Sequence, residues 1–71
     1  METNLLKDWG VRFYAFNGGY ITVTGAIYND IKKRFEDGSH IETSRVVKID
    51  FANGIVETLN SVYHLDKGGA K

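Results

Sequence analysis

The feature that most constrains this chain is an alternation of apolar and polar residues, interrupted only by short turns that contain glycine. Proline is absent and glycine occurs eight times. Glycine therefore marks the turns, as in "NGG" at 17–19, "DG" at 37–38 and "NG" at 53–54. A repeat of two residues is the repeat of a half-buried β-strand. The sequence thus predicts an all-β fold made of hairpins.

The first predicted hairpin covers residues 11–28 and turns at "NGG". The alternation predicts an inward row of apolar side chains: Val11, Phe13, Ala15, Ile21, Val23 and Ile27. The opposite face carries aromatic side chains: Tyr14, Phe16, Tyr20 and Tyr28. Large exposed apolar patches usually mark an interface, so this aromatic face is a candidate contact surface.

The second predicted hairpin joins "RVVKIDF" to "IVETL" through "ANG", and "SVYHL" supplies a last strand. The pair "NG" between alternating apolar runs is the strongest short-range hairpin signal. The alternation places one set of side chains in the core: Val47, Ile49 and Phe51. It places the other set in solvent: Val46, Lys48 and Asp50.

Gly25 interrupts the inward row of the first hairpin, where glycine predicts a bulge or a sharp bend. We therefore expect a strongly bent antiparallel sheet or a small barrel of roughly four or five strands. The run "TNLLKDW" predicts a short N-terminal helical segment with Thr3 or Asn4 as its cap. Within this all-β fold, the i, i+4 spacing of Ile31 and Phe35 predicts one helical turn near residues 30–35. The alternative is an α+β fold, in which residues at about 29–37 form a real helix across the sheet.

The length of the chain limits its stability. Residues 1–71 form a single small domain, with an N-terminal segment at 1–9 and a flexible tail at 66–71. A core of this size yields only about 3–5 kcal/mol. There is no cysteine, and His40 and His64 lack a ligand-like spacing, so we expect no disulfide, metal or other cofactor. Self-association then remains as a source of stability, and we expect a homodimer.

The charge balance argues against a generic nucleic-acid coat protein. Nine Lys and Arg residues balance nine Asp and Glu residues, so the formal net charge is zero, whereas such coat proteins are strongly basic. No apolar run approaches the roughly 18 residues of a spanning helix, and "METNLLKDWG" lacks the features of a signal peptide. We expect a soluble, cytoplasmic protein with no membrane partner.

No residue is assigned a catalytic role. Ser61, His64 and Asp66 supply the residue types of a hydrolytic triad. Neighbours along a strand point to opposite faces, however, and a triad is assembled in space rather than along the chain. We therefore expect His64 to be a half-exposed residue at the end of an edge strand, in a protein that is not an enzyme.

The charged stretch "KKRFE" at 32–36 is the second candidate contact surface. The residues assigned to partner binding come from this loop and from the aromatic face: Tyr14, Phe16, Tyr20, Lys32, Lys33, Arg34, Phe35 and Glu36. A protein-binding module would use the aromatic face for burial and the loop for specificity. Four nearby acids, Asp30, Glu36, Asp37 and Glu42, largely cancel the cations at a distance, so a solvated loop is the alternative interpretation.

A small β-barrel that binds single-stranded nucleic acid is the alternative function. Its phosphate contacts would come from cations of the loop and of the strands: Arg12, Lys32, Lys33, Arg34 and Arg45. Nearby aromatic side chains would stack on bases. A purely structural subunit of a larger assembly is a third possibility.

The pattern "RFEDGSHIETSRV" followed by "TLNSVY" resembles small accessory proteins of bacteriophages and prophages, over residues 25–65. The resemblance implies a compact, non-enzymatic protein that blocks a host defence system by occupying a surface of a target protein, as anti-CRISPR inhibitors do. It also implies that the protein acts in the cytoplasm of the host cell.

Overall fold

The computed structural model describes residues 3–67, which form one six-stranded sheet with no helix. The strands are β1 (Leu5–Tyr14), β2 (Tyr20–Tyr28), β3 (Ser39–Glu42), β4 (Val46–Asp50), β5 (Ile55–Thr58) and β6 (Val62–Leu65). Their order is β3-β2-β1-β6-β5-β4. All neighbours are antiparallel except β1 and β6, which are parallel. The all-β prediction is confirmed, and the sheet is mixed rather than antiparallel throughout.

The predicted N-terminal helical segment is wrong, because β1 already begins at Leu5. Leu5 pairs with Tyr28 and Leu6 with Ile27, so the first hairpin is longer at its base than the alternation after Gly10 indicated. Leu6 is fully buried. As a strand, this segment gains ladder hydrogen bonds on both sides and puts Leu6 in the core, whereas an isolated short helix is marginal in water.

Two residues of β1, Asp8 and Trp9, form a bulge opposite Gly25. The register passes from Lys7 opposite Ala26 to Gly10 opposite Thr24, and Asp8 takes a left-handed φ of 51°. The bend predicted from Gly25 thus lies mainly in the partner strand. Gly25 permits it, because a Cβ there would stand only 3.0 Å from the carbonyl oxygen of Lys7.

The core lies on one face of the sheet. Its buried members come from five strands: Leu6, Val23, Ile27, Ile41, Val56, Tyr63 and Leu65, with Trp9, Val46 and Ile49 packed against them. The sheet bends enough for β4 to approach β2 across this core. It does not close, because β3 and β4 stand at opposite ends of the strand order. The small barrel is therefore not supported.

The second predicted hairpin forms, but its inward and outward faces are partly exchanged. The register shifts between Val46 and Lys48, and the extra residue inverts the alternation at that point. Val46 and Ile49 consequently both pack against the core. The predicted burial of Val47 and Phe51 is wrong, since they are 57% and 60% exposed. The turn itself follows the sequence prediction, with Gly54 at a positive φ of 66°.

Residues 29–38 connect β2 to β3 as an irregular loop, so the α+β alternative is wrong. A single turn forms where the amide of Lys33 donates to the carbonyl of Asp30 at 2.9 Å. Lys33 then takes a φ of 53°, which ends the helical geometry. Ile31 and Phe35 are 65% and 42% exposed and share no buried face.

Asn4 joins the first hairpin, this loop and β6. Its backbone amide donates to the carbonyl of Asn29, and its carbonyl accepts from the amide of His64, both at 2.9 Å. Its buried side chain donates from Nδ2 to the carbonyl of Val62 and accepts at Oδ1 from the amide of Ile31. Asn4 therefore serves as a junction, with a φ of 50°, and not as a helix cap.

Within residues 3–67, no helix has the length and apolar character needed to cross a membrane. Of the predicted C-terminal tail, Asp66 is described, and its amide donates to the carbonyl of Leu6 at 2.9 Å. Residues 68–71 of that tail lie outside the described residues.

The contact between Gly25 and the bulge gives a stability test. Gly25→Ala is expected to destabilise the fold by about 1–3 kcal/mol. The added methyl would contact backbone atoms of Lys7 and Trp9, which would have to shift to make room for it. Gly10→Ala is the matched control, since its Cβ would meet only Thr24 Oγ1 at an ordinary 3.9 Å. Urea unfolding of both variants gives the comparison. Equal midpoints for the two would show that the bulge does not depend on Gly25.

Candidate functional site

The tip of the first hairpin projects beyond the rest of the sheet. β3 pairs with β2 only from Thr24 to Ile27, so the tip end of β2 has no neighbour in β3. The loop at residues 15–19 closes the hairpin, with the amide of Gly19 donating to the carbonyl of Phe16 at 3.1 Å. Asn17, Gly18 and Gly19 all have positive φ, which fits the residue types of the predicted "NGG" turn.

Three rings pack together at this tip and form the aromatic cluster, defined as Tyr14, Phe16 and Tyr20. Tyr14 and Tyr20 are cross-strand partners whose rings stack with centroids 5.0 Å apart. Phe16 meets both edge to face, with centroids at 5.7 Å from Tyr14 and 5.6 Å from Tyr20. Phe16 remains 58% exposed. The structure thus brings together three of the four aromatic residues assigned to partner binding, while Phe35 lies in the charged loop.

A carboxylate fixes the aromatic cluster in place. Glu42, in β3, accepts hydrogen bonds from the hydroxyl of Tyr14 at 2.5 Å and from the hydroxyl of Thr22 at 2.6 Å. The hydrogen bond from Thr22, and then that from Tyr14, lowers the pKa of Glu42. The same contact with Glu42 raises the pKa of Tyr14. At neutral pH the carboxylate is therefore charged and the phenol neutral, as the hydrogen bond requires.

Two guanidinium groups flank the rings. Arg45 lies over the ring of Tyr20 at 4.7 Å from its centroid, and Arg12 lies over Tyr14 at 5.6 Å. Arg12 is also 3.9 Å from Glu42. Sequence reasoning included both arginines only in the nucleic-acid alternative. It placed Glu42 among the acids around the charged loop, because the register of β3 against β2 cannot be read from the local sequence.

The charged loop lies at the other end of β2 from the aromatic cluster. β2 runs from Tyr20, within the cluster, to Tyr28, where the loop begins, a path of roughly 25 Å for a strand of this length. The Nζ of Lys32 donates to the carbonyl of Asn60 at 3.0 Å. The predicted site residues therefore fall into two separate groups.

Arg34 holds the loop together from within. Its Nε and Nη2 donate to Asp30 at 3.2 and 3.0 Å, and its amide donates to the same carboxylate at 2.7 Å. The Asp30 side chain is 1% exposed, and that of Arg34 is 32% exposed. The hydrogen bonds from the Arg34 side chain are the main cause of the lowered pKa of Asp30. The guanidinium of Arg34 thus binds a carboxylate of its own chain.

The remaining residues of the predicted loop site face solvent. Lys33, Phe35 and Glu36 are exposed, and the guanidinium of Arg34 lies over the Phe35 ring at 5.4 Å. The loop lines a cavity of about 430 Å³ that is open to solvent. Its lining mixes acids and bases, so no single charge dominates it.

The triad residue types do not assemble in the described part of the chain. His64 Nδ1 contacts the carbonyl of Thr3 at 2.9 Å, and the buried Ser61 hydroxyl has no hydrogen-bond partner. Among residues 3–67, no group of three or more His, Cys, Asp or Glu side chains could hold a metal ion.

Comparison with protein-family models, with curated proteins and with solved structures finds no match to this chain.

The Asp30–Arg34 pair makes stability depend on pH. The pKa of Asp30 is lower in the folded state than its ordinary value of 3.8. Its stabilisation is therefore complete above that value and is lost as the pH falls through the folded pKa. We expect the free energy of unfolding to drop below about pH 4, and Asp30→Asn to remove part of that dependence.

At neutral pH, Asp30→Asn should cost about 1–2 kcal/mol, less than for a fully buried pair, because solvent screens the partly exposed arginine. Glu36→Gln is the matched control, since it removes the same charge from an exposed position of the same loop and should change stability by less than about 0.5 kcal/mol. Urea unfolding between pH 2 and 7 measures both. Equal pH profiles for the two variants would contradict the role given to Asp30.

Proposed function

We propose that this chain is a non-enzymatic protein-binding module that acts as a homodimer. In line with the resemblance to phage accessory proteins, the proposed activity is inhibition of a host defence protein in the host cell cytoplasm. The aromatic cluster is the proposed main contact with the target. The exposed residues of the charged loop, Lys33, Phe35 and Glu36, are the proposed second contact.

The observation that carries this proposal is the exposed aromatic cluster flanked by Arg12 and Arg45. Tyr and Arg are enriched among the residues that dominate binding energies at protein interfaces. Phe16 offers an apolar side chain that is 58% exposed at the centre of such a group. A target that covered it would gain apolar burial and meet two guanidinium groups at the rim.

Rigidity of the aromatic cluster also supports the proposal. Glu42 accepts hydrogen bonds from the hydroxyls of both Tyr14 and Thr22, and the ring of Tyr20 contacts both the ring of Tyr14 and the guanidinium of Arg45. Side chains that are already ordered lose less conformational entropy when a partner binds. A rigid, exposed group of rings is more useful as an anchor than the same rings on a mobile loop.

Single-stranded nucleic acid is the second candidate partner. The stacked tyrosines and the guanidinium groups of Arg12 and Arg45 are the observation that favours it, because such surfaces combine stacking platforms with cations for the phosphates. Glu42 lies within the same group and would repel a phosphate. The net charge of zero also supplies no long-range attraction. We therefore rank a protein target first.

The protein-binding proposal is tested by replacing one exposed ring. The target is first captured with tagged protein from the native host and identified by mass spectrometry, and then titrated as a purified protein. Phe16→Ser should weaken that binding by at least about 30-fold, the effect of a residue worth about 2 kcal/mol. Phe51→Ser is the matched control, since Phe51 is exposed to a similar degree, 60% against 58%. It should bind within about twofold of the unmodified chain.

Equal affinities of the Phe16→Ser and Phe51→Ser variants would eliminate the aromatic cluster as the anchor. The loop is tested separately by the double variant Lys33→Ala, Glu36→Ala, which leaves the Asp30–Arg34 pair in place. Unchanged target binding by that variant would remove the loop from the contact surface.

The nucleic-acid candidate makes a distinct prediction for fluorescence anisotropy with a labelled single-stranded oligonucleotide. Binding should be measurable at low salt and should weaken steeply as salt rises, because released counterions drive it. Arg45→Ala should then weaken it further by removing a cation and its support for Tyr20. No change in anisotropy at low salt would eliminate this candidate.

A further inference from the structure

The strand β1 has a long edge that no other described strand covers. On the side away from β2, β6 pairs with β1 only at Leu5 and Leu6. From Gly10 to Tyr14, β1 is regularly paired with β2 on its other side. Within residues 3–67, this part of β1 therefore has one paired edge and one open edge.

The backbone groups on that open edge can be identified from the neighbouring contacts. The amide of Val23 donates to Oγ1 of Thr43, and the carbonyl of Val23 accepts from the amide of Thr43. Both backbone groups of Val23 thus point away from β1. Val11 is opposite Val23, so its own amide and carbonyl point away from β2. The same holds two residues along, at Phe13.

The side chains at these positions are exposed as well. Val11 is 45% exposed and Phe13 is 69% exposed, although the alternation predicted both to face a core. An open, apolar strand edge is a template for pairing with another strand. Natural proteins commonly protect such an edge with proline or charge, and here only Arg12 lies between the two apolar residues.

We propose that the open edge of β1 pairs with the same edge of a second copy, antiparallel, with the two-fold axis at Arg12. When the segment "GVRFY" at 10–14 pairs with an antiparallel copy of itself about Arg12, residues equally far before and after Arg12 face each other. Val11 then lies opposite the partner's Phe13, and each amide and carbonyl that points outward meets its counterpart. The cross-strand pairs so formed join a β-branched residue to an aromatic one, which stabilises antiparallel strands.

The other face of this pairing accommodates the aromatic cluster. Tyr14 lies opposite the partner's Gly10, which has no side chain to displace the ring. Tyr14 can therefore keep its contacts with Tyr20 and Glu42. Arg12 lies opposite the partner's Arg12, which is unfavourable, but its guanidinium is directed towards Tyr14 and Glu42 of its own chain. This repulsion keeps the dimer weak without preventing it.

The free edges of β3 and β4 are less suitable. β3 is four residues long and β4 five, and β4 is bulged near its start. Short and bulged edges are poor templates for pairing. The inference thus assigns the homodimer of the proposed function to a strand edge. It depends on that part of the proposal and not on the identity of any target.

The absence of cysteine makes the proposed axis directly testable. In full-length Arg12→Cys, the two thiols would face each other at a non-hydrogen-bonded pair, where the Cα separation of about 4.5 Å suits a disulfide. Mild oxidation should yield a cross-linked dimer. Lys48→Cys, on the free edge of β4, is the control and should run as a monomer in non-reducing electrophoresis. Cross-linking of Lys48→Cys instead would overturn the assignment.

Arg12→Thr distinguishes pairing with a second copy of the chain from binding of a different partner at the same edge. In the proposed dimer this substitution removes the like-charge pair, so sedimentation equilibrium should show association tighter by roughly two- to fivefold. An acidic strand of another protein, or a nucleic acid, would instead bind the variant more weakly. A full-length chain that sediments as a monomer at high micromolar concentration would overturn the inference. Phe16→Ser should leave association unchanged, so loss of the dimer and loss of the target remain distinguishable.

Discussion

The hydrogen bonds of Asn4 are the constraint on which the arrangement of the sheet depends. Asn4 links the start of β1, the loop after β2 and the strand β6, using both its backbone groups and both ends of its side-chain amide. These contacts bring β1 and β6 side by side in parallel and so unite the two antiparallel halves into one sheet. A residue with φ near 50° and two opposed hydrogen-bonding groups is required there, and asparagine meets both conditions.

The exposed features of the molecule follow from this junction. Because β6 meets β1 only at its base, most of the first hairpin extends past the other half of the sheet with an open edge. Because β3 covers only the far end of β2, the hairpin tip carries its rings beyond the core. The aromatic cluster and the open edge of β1 are therefore two results of one mismatch in strand length. The long hairpin has more surface than the four shorter strands can cover.

Local sequence signals identified the hairpins, because their turns require specific backbone angles. The "NGG" and "NG" turns have the positive φ that asparagine and glycine tolerate, and Tyr14, Phe16 and Tyr20 do share one side of the sheet. The bulge after Val46 could not be predicted from the sequence, because one inserted residue inverts the alternation and no particular residue type marks its position. The parallel pairing of β1 with β6 depends on contacts more than fifty residues apart in sequence, as in the bond from Asn4 to Val62. Arg34 looked like a solvated cation because its partner, Asp30, was counted only as a neighbouring charge.

The position of β1 and β6 in the sheet has a consequence for synthesis of the protein. These strands come from opposite ends of the described chain, yet they are central neighbours. The sheet cannot be completed until residue 65 has emerged from the ribosome, whereas the first hairpin is free to form much earlier. Pairing between such distant segments is slow because the intervening chain must first lose its freedom. During that interval the apolar edge of the nascent hairpin stays exposed while the strands of the other half of the sheet are still being synthesised.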